Sequence, residues 1–313
     1  MAKILITGGA GFQGRFLVKL LLARGHQITV LNTVSDKANQ SLLEFKDNIT
    51  IVFGSVTDKE IVYKTVRDHD CVFHFAARIH VDESIKDPLS SLNVNIFGTY
   101  NLLESVTYFK SRLIFLSTCE VYGAPLTTLS IKENAELRPH SPYAASKAAA
   151  DRLCFAYHTT YGTDVTIVRP FNVYGPYQKN GLDGAAIPIF VDQAKKGLPI
   201  IVYGDGKQTR DYMYIDDLIR AYEIVFTHRE LKGQTINIGT GKETRIIDIA
   251  KYIAKKYHGK VIHKDARPGE VSRFMANISK IKRYGFKPTI DIWTGIDKYI
   301  DWYAANLDST KYT

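Results

Sequence analysis

A short apolar run, Lys3-Ile-Leu-Ile-Thr7, leads without a spacer into Thr7-Gly-Gly-Ala-Gly-Phe-Gln-Gly14. Phe16, Leu17, Leu20 and Leu21 then recur at helical spacing over Phe12 to Arg24. A strand joined to a helix by a glycine-rich turn constrains the chain strongly. Glycine permits the tight turn, lets an anionic group approach the backbone, and allows close helix–strand packing. Both Gly9-x-Gly11-x-x-Gly14 and Gly8-x-x-Gly11-x-x-Gly14 are present, the spacing of a turn that holds a dinucleotide pyrophosphate at a helix N-terminus. Gly8, Gly11, Phe12, Gln13 and Gly14 are therefore candidate cofactor contacts.

The same alternation continues downstream. Strands are expected at Gln27–Leu31, Ile49–Phe53, Asp70–Phe75, Arg112–Ser117 and Asp164–Arg169, with helices over Lys59–Arg67, Pro88–Phe109 and Ser141–Tyr161. Strands alternating with helices give a parallel sheet covered on both faces. The fold class is α/β, a Rossmann-type doubly wound parallel sheet with a smaller C-terminal α/β substrate lobe. The expected division is a dinucleotide-binding domain over residues 1–170 and a substrate lobe over 171–313, with part of 211–240 returning to the first. Asn172–Gly181 reads as loop, and shorter elements follow at Ile200–Tyr203, Ile246–Tyr257 and Ile292–Asn306.

Charge and cysteine content exclude several classes. The net charge is +9, but the basic residues are dispersed in short clusters such as Lys195-Lys196 and Lys280-Ile-Lys-Arg283. That pattern reads as a solvated surface with no nucleic-acid partner, and its positive field favours an anionic diphosphate. Cys71, Cys119 and Cys154 are odd in number and widely spaced, so neither a disulfide framework nor a metal site is expected. No apolar run is long enough to cross a bilayer and no secretory signal precedes the first strand, so no membrane partner and a cytoplasmic location are expected.

The chemistry is carried by Tyr143 and Lys147 in Ser141-Pro-Tyr-Ala-Ala-Ser-Lys147. Residues four apart share one helix face, and an ammonium beside a phenol would push it toward phenolate. Such a base can take a proton from an alcohol. Thr118 closes an apolar strand, where open α/β sheets bind ligands. At the end of the second strand stands Asn32 instead of the acid that usually holds the adenosine ribose. Asparagine can bond a ribose diol but does not repel a 2′-phosphate. NAD is preferred, and NADP stays open, with Lys37 able to pair a phosphate.

The glycine fingerprint, Phe73-His-Phe-Ala-Ala77, Asn95-x-x-Gly98-Thr99, Ser117-Thr118 and Tyr143-x-x-x-Lys147 together resemble the extended short-chain dehydrogenase/reductase family. Arg169-Pro-Phe-Asn-Val-Tyr-Gly-Pro176, Tyr203-Gly-Asp-Gly-x-x-x-Arg-Asp211 and Arg267-Pro-Gly-Glu270 are similar to its nucleotide-sugar 4,6-dehydratase and epimerase group. The resemblance implies that Tyr143 is the acid/base at a sugar 4-hydroxyl, aided by Lys147 and Thr118, with Ala76 and Ala77 in the cofactor cleft. It also implies substrate contacts from Asn172, Arg210 and Arg267, with Tyr203 near the base. His74 and His80 fall near the cleft and read as packed or hydrogen-bonded histidines.

The residues after Thr118 separate the branches. Dehydratases of the group resemble Thr-Asp-Glu, whereas this chain has Thr118-Cys119-Glu120. Glu120 fits a base for the C5 proton, and Cys119 stands where an acid would protonate the departing C6 hydroxyl. The resemblance implies a nucleotide-sugar dehydratase acting on a UDP-hexose or UDP-N-acetylhexosamine, with dTDP, CDP and GDP as other nucleotides. The product is a 4-keto-6-deoxy sugar or a 5,6-ene. A 4-epimerase, a UDP-glucuronate decarboxylase and an NAD-sensing regulatory protein are the alternatives. Relatives pair as homodimers through helices matching Pro88–Phe109 and Ser141–Tyr161, so a homodimer is implied.

Overall fold

Strand β1 (Lys3–Thr7) buries Ile4, Leu5 and Ile6 completely, as a strand covered on both faces must. In the computed structural model, which describes residues 1–33, 41–124, 130–178, 185–266 and 271–306, it lies inside a parallel sheet. Its neighbours are β2 (Gln27–Asn32), itself beside β3 (Ile49–Phe53), and β4 (Cys71–His74) on the other side. Beyond β4 come β5 (Arg112–Leu116), β6 (Val165–Pro170) and the strand Thr235–Ile238. Seven strands are thus present among the described residues, in the order 3-2-1-4-5-6 with the last strand added beside β6. This is the doubly wound order, and its direction reverses between β1 and β4. A ligand crevice opens outside the strand ends at that reversal.

The described chain forms two compact units. The first comprises Met1–Val121, Pro139–Pro170 and Ile219–Ile236. Its helices are α1 (Phe12–Ala23), α2 (Lys59–Val66), α3 (Val81–Lys86), α4 (Pro88–Leu92), α5 (Gly98–Phe109) and α6 (Pro142–Tyr161). Leu102, Leu103 and Val106 of α5 pack with Leu113 and Phe115 of β5 and Ala150 and Cys154 of α6. Each large aliphatic side chain buried this way contributes roughly 1.5–3 kcal/mol.

The second unit comprises Tyr122–Arg138, Phe171–Leu218 and Asn237–Thr313, so one segment that precedes residue 170 groups with it. Within it, Asp211 is fully buried and accepts hydrogen bonds from Thr240 N, Thr240 Oγ1, Gly241 N and Ala276 N. Tyr122 donates to Asn237 Oδ1 at 2.7 Å. Two expectations change. The loop proposed from Asn172 begins as a strand, Asn172–Tyr174, paired in parallel with Tyr212–Tyr214, because Val173 and Tyr174 suit a ladder that only the tertiary fold supplies. The single helix expected over Pro88–Phe109 is interrupted by a π-helical turn, Asn93–Phe97.

Arg112 shows how the first unit closes on itself. Its buried guanidinium donates to the carbonyls of Val225, Phe226 and His228 and to Thr166 Oγ1. Val225 and Phe226 lie in the last turn of the helix Ile215–Thr227, whose carbonyls have no intrahelical partner, while His228 O also accepts the Leu231 N–H at 3.2 Å. Arg112→Met is expected to lower unfolding stability in urea by about 2–3 kcal/mol, since buried carbonyls lose their donor. Unchanged stability would mean that those carbonyls are satisfied without it.

Candidate active site

The turn after β1 is built by close approach. Gly8 adopts φ +68°, and a Cβ there would lie 2.8 Å from Ala76 N, while one on Gly14 would lie 2.7 Å from Gly9 Cα. Ala76, just past β4, is thereby held against the turn, with Ala77 next to it in the chain. Gly11 caps α1 without any side-chain hydrogen bond, and no acid occupies the first helical turn. Among the described residues no side chain caps the first-turn N–H groups of this twelve-residue helix, which could therefore donate to an anion. The residues fit a pyrophosphate. Phe12 packs edge-on against Phe16, and Gln13 Oε1 accepts a hydrogen bond from Tyr222. Asn32 ends β2, its amide donating to Thr33 O at 3.2 Å.

A buried polar chain fixes the reversal between β1 and β4. Thr99 donates to Asn95 O at 2.6 Å, so its oxygen accepts from His74 Nε2 at 3.0 Å. His74 Nδ1 is then the acceptor for the Thr7 hydroxyl at 2.7 Å, and Thr7 Oγ1 takes the Ala76 N–H at 3.3 Å. Burial, and then the charge of Lys147, hold the imidazole well below its ordinary pKa, which keeps it neutral. His74 is a structural connector, and His80 precedes α3 at its N-cap.

Helix α6 is placed by local chemistry. Ser141 Oγ accepts the Ala144 N–H, and Pro142 occupies the first turn, which sets the start of the helix one residue before Tyr143. The Tyr143 N–H donates to Ser84 Oγ of α3 at 3.0 Å. One turn on, buried Lys147 donates from Nζ to Leu116 O at 2.6 Å and lies 4.2 Å above the Phe115 ring. Another turn on, Asp151 accepts both arms of Arg169 at 2.8 Å. Burial opposes ionisation of Asp151, but the guanidinium outweighs it and keeps the carboxyl below its usual range.

Thr118, Cys119, Glu120, Tyr143 and Lys147 are brought together. The Thr118 hydroxyl is near enough to the Tyr143 phenol to lower its pKa, and it accepts the Glu120 N–H at 3.2 Å. Cys119 is buried at the head of a 3-10 turn, Cys119–Tyr122, while Thr118, Glu120 and Tyr143 are half-buried. The electrostatics differ from the expectation that Lys147 ionises Tyr143. Burial first, then Glu120 and Cys119, push the phenol above its ordinary range, and Thr118 alone pulls it down. Lys147 is not among the groups that shift the phenol, and its Nζ donates to the Leu116 carbonyl. Its own pKa falls to about 8 through burial.

Of the residues expected to contact substrate, Asn172 and Arg210 share the Asp211 neighbourhood in the second unit, with Asn172 N donating to Asp211 O at 3.1 Å. Asn172 Nδ2 is a buried donor without a partner among the described residues. Arg210 donates to Thr209 O and lies over Phe274. Tyr203 ends a different strand, Ile200–Tyr203. Arg267 and Lys37 lie outside the described residues. Sequence reasoning missed Ser84, Asp151 and Asp211 as positioning groups. Asp151 had a legible signal, being one further turn along the Tyr143–Lys147 face.

Residues 4–239 match the model of the NAD dependent epimerase/dehydratase family. The chain is 35% identical to a dTDP-glucose 4,6-dehydratase of Streptomyces niveus, over 97% of this chain and 93% of that one. It is 33% identical to a putative UDP-glucose 4-epimerase of Methanocaldococcus jannaschii, over 97% and 99%. The dTDP-glucose 4,6-dehydratase DesIV of Streptomyces venezuelae, solved with NAD bound, superposes with a TM-score of 0.90 at 32% identity, covering 98% of each chain. The chain belongs to the NAD-dependent epimerase/dehydratase family, whose members here are nucleotide-sugar dehydratases and epimerases. No helix among the described residues is long and apolar enough to cross a membrane.

A folded lysine pKa of about 8 against an unfolded value near 10.5 has a definite sign. Between them the unfolded chain holds a proton that the folded chain lacks, so this group makes stability rise with pH from 8 toward 10. Thermal melts across pH 7–10 should show that rise in wild type and its loss in Lys147→Met. Parallel profiles would mean that the ammonium is not desolvated.

Proposed function

We propose that the chain is an NAD-dependent nucleotide-sugar dehydratase. The observation that carries the reading is Glu120, a carboxylate whose charge reaches the Tyr143 phenol. A simple 4-epimerase has no step for such a base, whereas elimination of water requires one at C5. The glycine turn and the first turn of α1 would hold the pyrophosphate, Asn32 the adenosine ribose, and Lys147 the nicotinamide ribose. Bound NAD supplies a hydride acceptor at C4 and returns the hydride later.

As its phenolate, which the Thr118 hydroxyl stabilises, Tyr143 takes the proton of the sugar 4-hydroxyl and becomes the neutral phenol. Oxidation at C4 acidifies the neighbouring C–H, and Glu120 removes the C5 proton. The C6–O bond breaks as Cys119 delivers a proton to the departing hydroxyl, which leaves as water. Hydride return to C6 with reprotonation at C5 gives a 4-keto-6-deoxy sugar, while return to C4 gives a 5,6-ene. The relatives act on dTDP- and UDP-hexoses, which supports a pyrimidine-nucleotide hexose, UDP-linked in the first instance. Asn172, Arg210, Arg267 and Tyr203 are the substrate contacts. The buried Cys119 in place of an acid favours a second reading, 4-epimerisation.

Mass spectrometry after incubation with UDP-, dTDP-, CDP- and GDP-hexoses separates these readings. Loss of water is expected, whereas unchanged mass with altered retention would establish epimerisation. Glu120→Gln should lower dehydration by about 10²–10⁴-fold while a single C4 oxidation stays detectable. Unimpaired turnover would remove Glu120 from the mechanism. A homodimer through α4 to α6 is part of this reading, supported by Leu89, Phe97 and Phe155, which are 65%, 57% and 44% exposed. Leu89→Asp combined with Phe97→Asp should shift sedimentation from dimer to monomer. A monomeric wild type would exclude that interface.

A further inference from the structure

Tyr222 lies on the helix Ile215–Thr227, within the first unit, and is fully buried. Its ring meets Phe75 edge-on at 5.6 Å, just past β4, and its hydroxyl donates to Gln13 Oε1 at 2.6 Å. One side chain thus braces two segments that flank the crevice. Burial holds the phenol in its protonated, donating form. Gln13 is the second residue of α1, in the turn whose N–H groups carry no cap. A carboxamide offers one acceptor oxygen and an NH2 with two donors. Tyr222 engages the oxygen, and among the described residues Nε2 makes no hydrogen bond.

We infer that Tyr222 orients the half-buried Gln13 carboxamide so that its NH2 donates to the pyrophosphate of the bound dinucleotide. The inference rests on the cofactor reading above and deepens it. The reverse orientation would set an amide oxygen toward phosphate oxygens, two acceptors with no proton between them. In the orientation found, the amide adds a side-chain donor to the backbone donors of the turn, and bonds to a charged acceptor are the stronger kind. Gln13 is a cofactor contact and Tyr222 a positioning residue.

The test is calorimetric binding of NAD and of ADP-ribose to wild type, Tyr222→Phe, Gln13→Met and the double variant, each checked for folding by circular dichroism. Gln13→Met should weaken both ligands by about tenfold, and Tyr222→Phe by about three- to tenfold. The double variant should bind no worse than Gln13→Met, because the tyrosine acts through the amide. Gln13→Glu, equal in shape but anionic, should bind more weakly than Gln13→Met. Wild-type affinity in Tyr222→Phe, or a loss that adds in full to that of Gln13→Met, would overturn the inference. If Tyr222→Phe does not fold, wild-type affinity in both Gln13 variants does the same. A wild-type chain that binds no NAD overturns the cofactor reading itself, which is a different result.

Discussion

The first unit depends on how one face of α6 is fastened to the sheet. Tyr143, Lys147 and Asp151 follow at four-residue intervals, and the last two reach adjacent strands, Lys147 to the Leu116 carbonyl of β5 and Asp151 to Arg169 of β6. Both contacts are buried, where a misplaced partner is costly because water cannot substitute. The helix therefore cannot slide or roll without breaking one of them. Tyr143, a turn earlier, inherits that rigidity and gains a third anchor at Ser84. The Tyr143 phenol is thus positioned by bonds that it does not itself make.

The same bonds explain the electrostatics. Burial of the Lys147 ammonium lowers its own pKa while the Leu116 carbonyl fixes its direction, and the phenol is set by burial, Thr118, Glu120 and Cys119. The polar chain from Ala76 N through Thr7, His74 and Thr99 to Asn95 does comparable work between β1 and β4. Each hydroxyl there has one proton to give, so the donor directions follow from one end to the other.

The sheet, the glycine turn and the shared face of Tyr143 and Lys147 were legible because each rests on local spacing, whereas Thr118 to Glu120 were joined to them only through the strand end and the family resemblance. Fully buried strands such as Ile4–Ile6 read as apolar runs, and a helix repeat places residues four apart on one face. The direction in which Lys147 points was not legible, since its partner is a carbonyl 31 residues away. Asn172–Tyr174 read as loop because its ladder partner, Tyr212–Tyr214, is distant in sequence. Asp211 looked like a neighbour of Arg210, and only the fold brings Thr240, Gly241 and Ala276 to its carboxylate.

The π-helical turn at Asn93–Phe97 also carries Asn95, whose side chain clamps both backbone groups of Arg78 and reaches Ser146 on α6. A π turn holds about one residue more than an α turn, and each α-helical residue advances about 100° around the axis. The stretch before it and the stretch after it are thus phased differently. The early part is free to attend to the loop past β4 while α5 keeps Leu102, Leu103 and Val106 in the core. Removing one residue would regularise the helix and turn one of these two faces away. Length at this point is therefore constrained as well as the identity of Asn95, and a chain one residue shorter here would have to rebuild one side of the crevice.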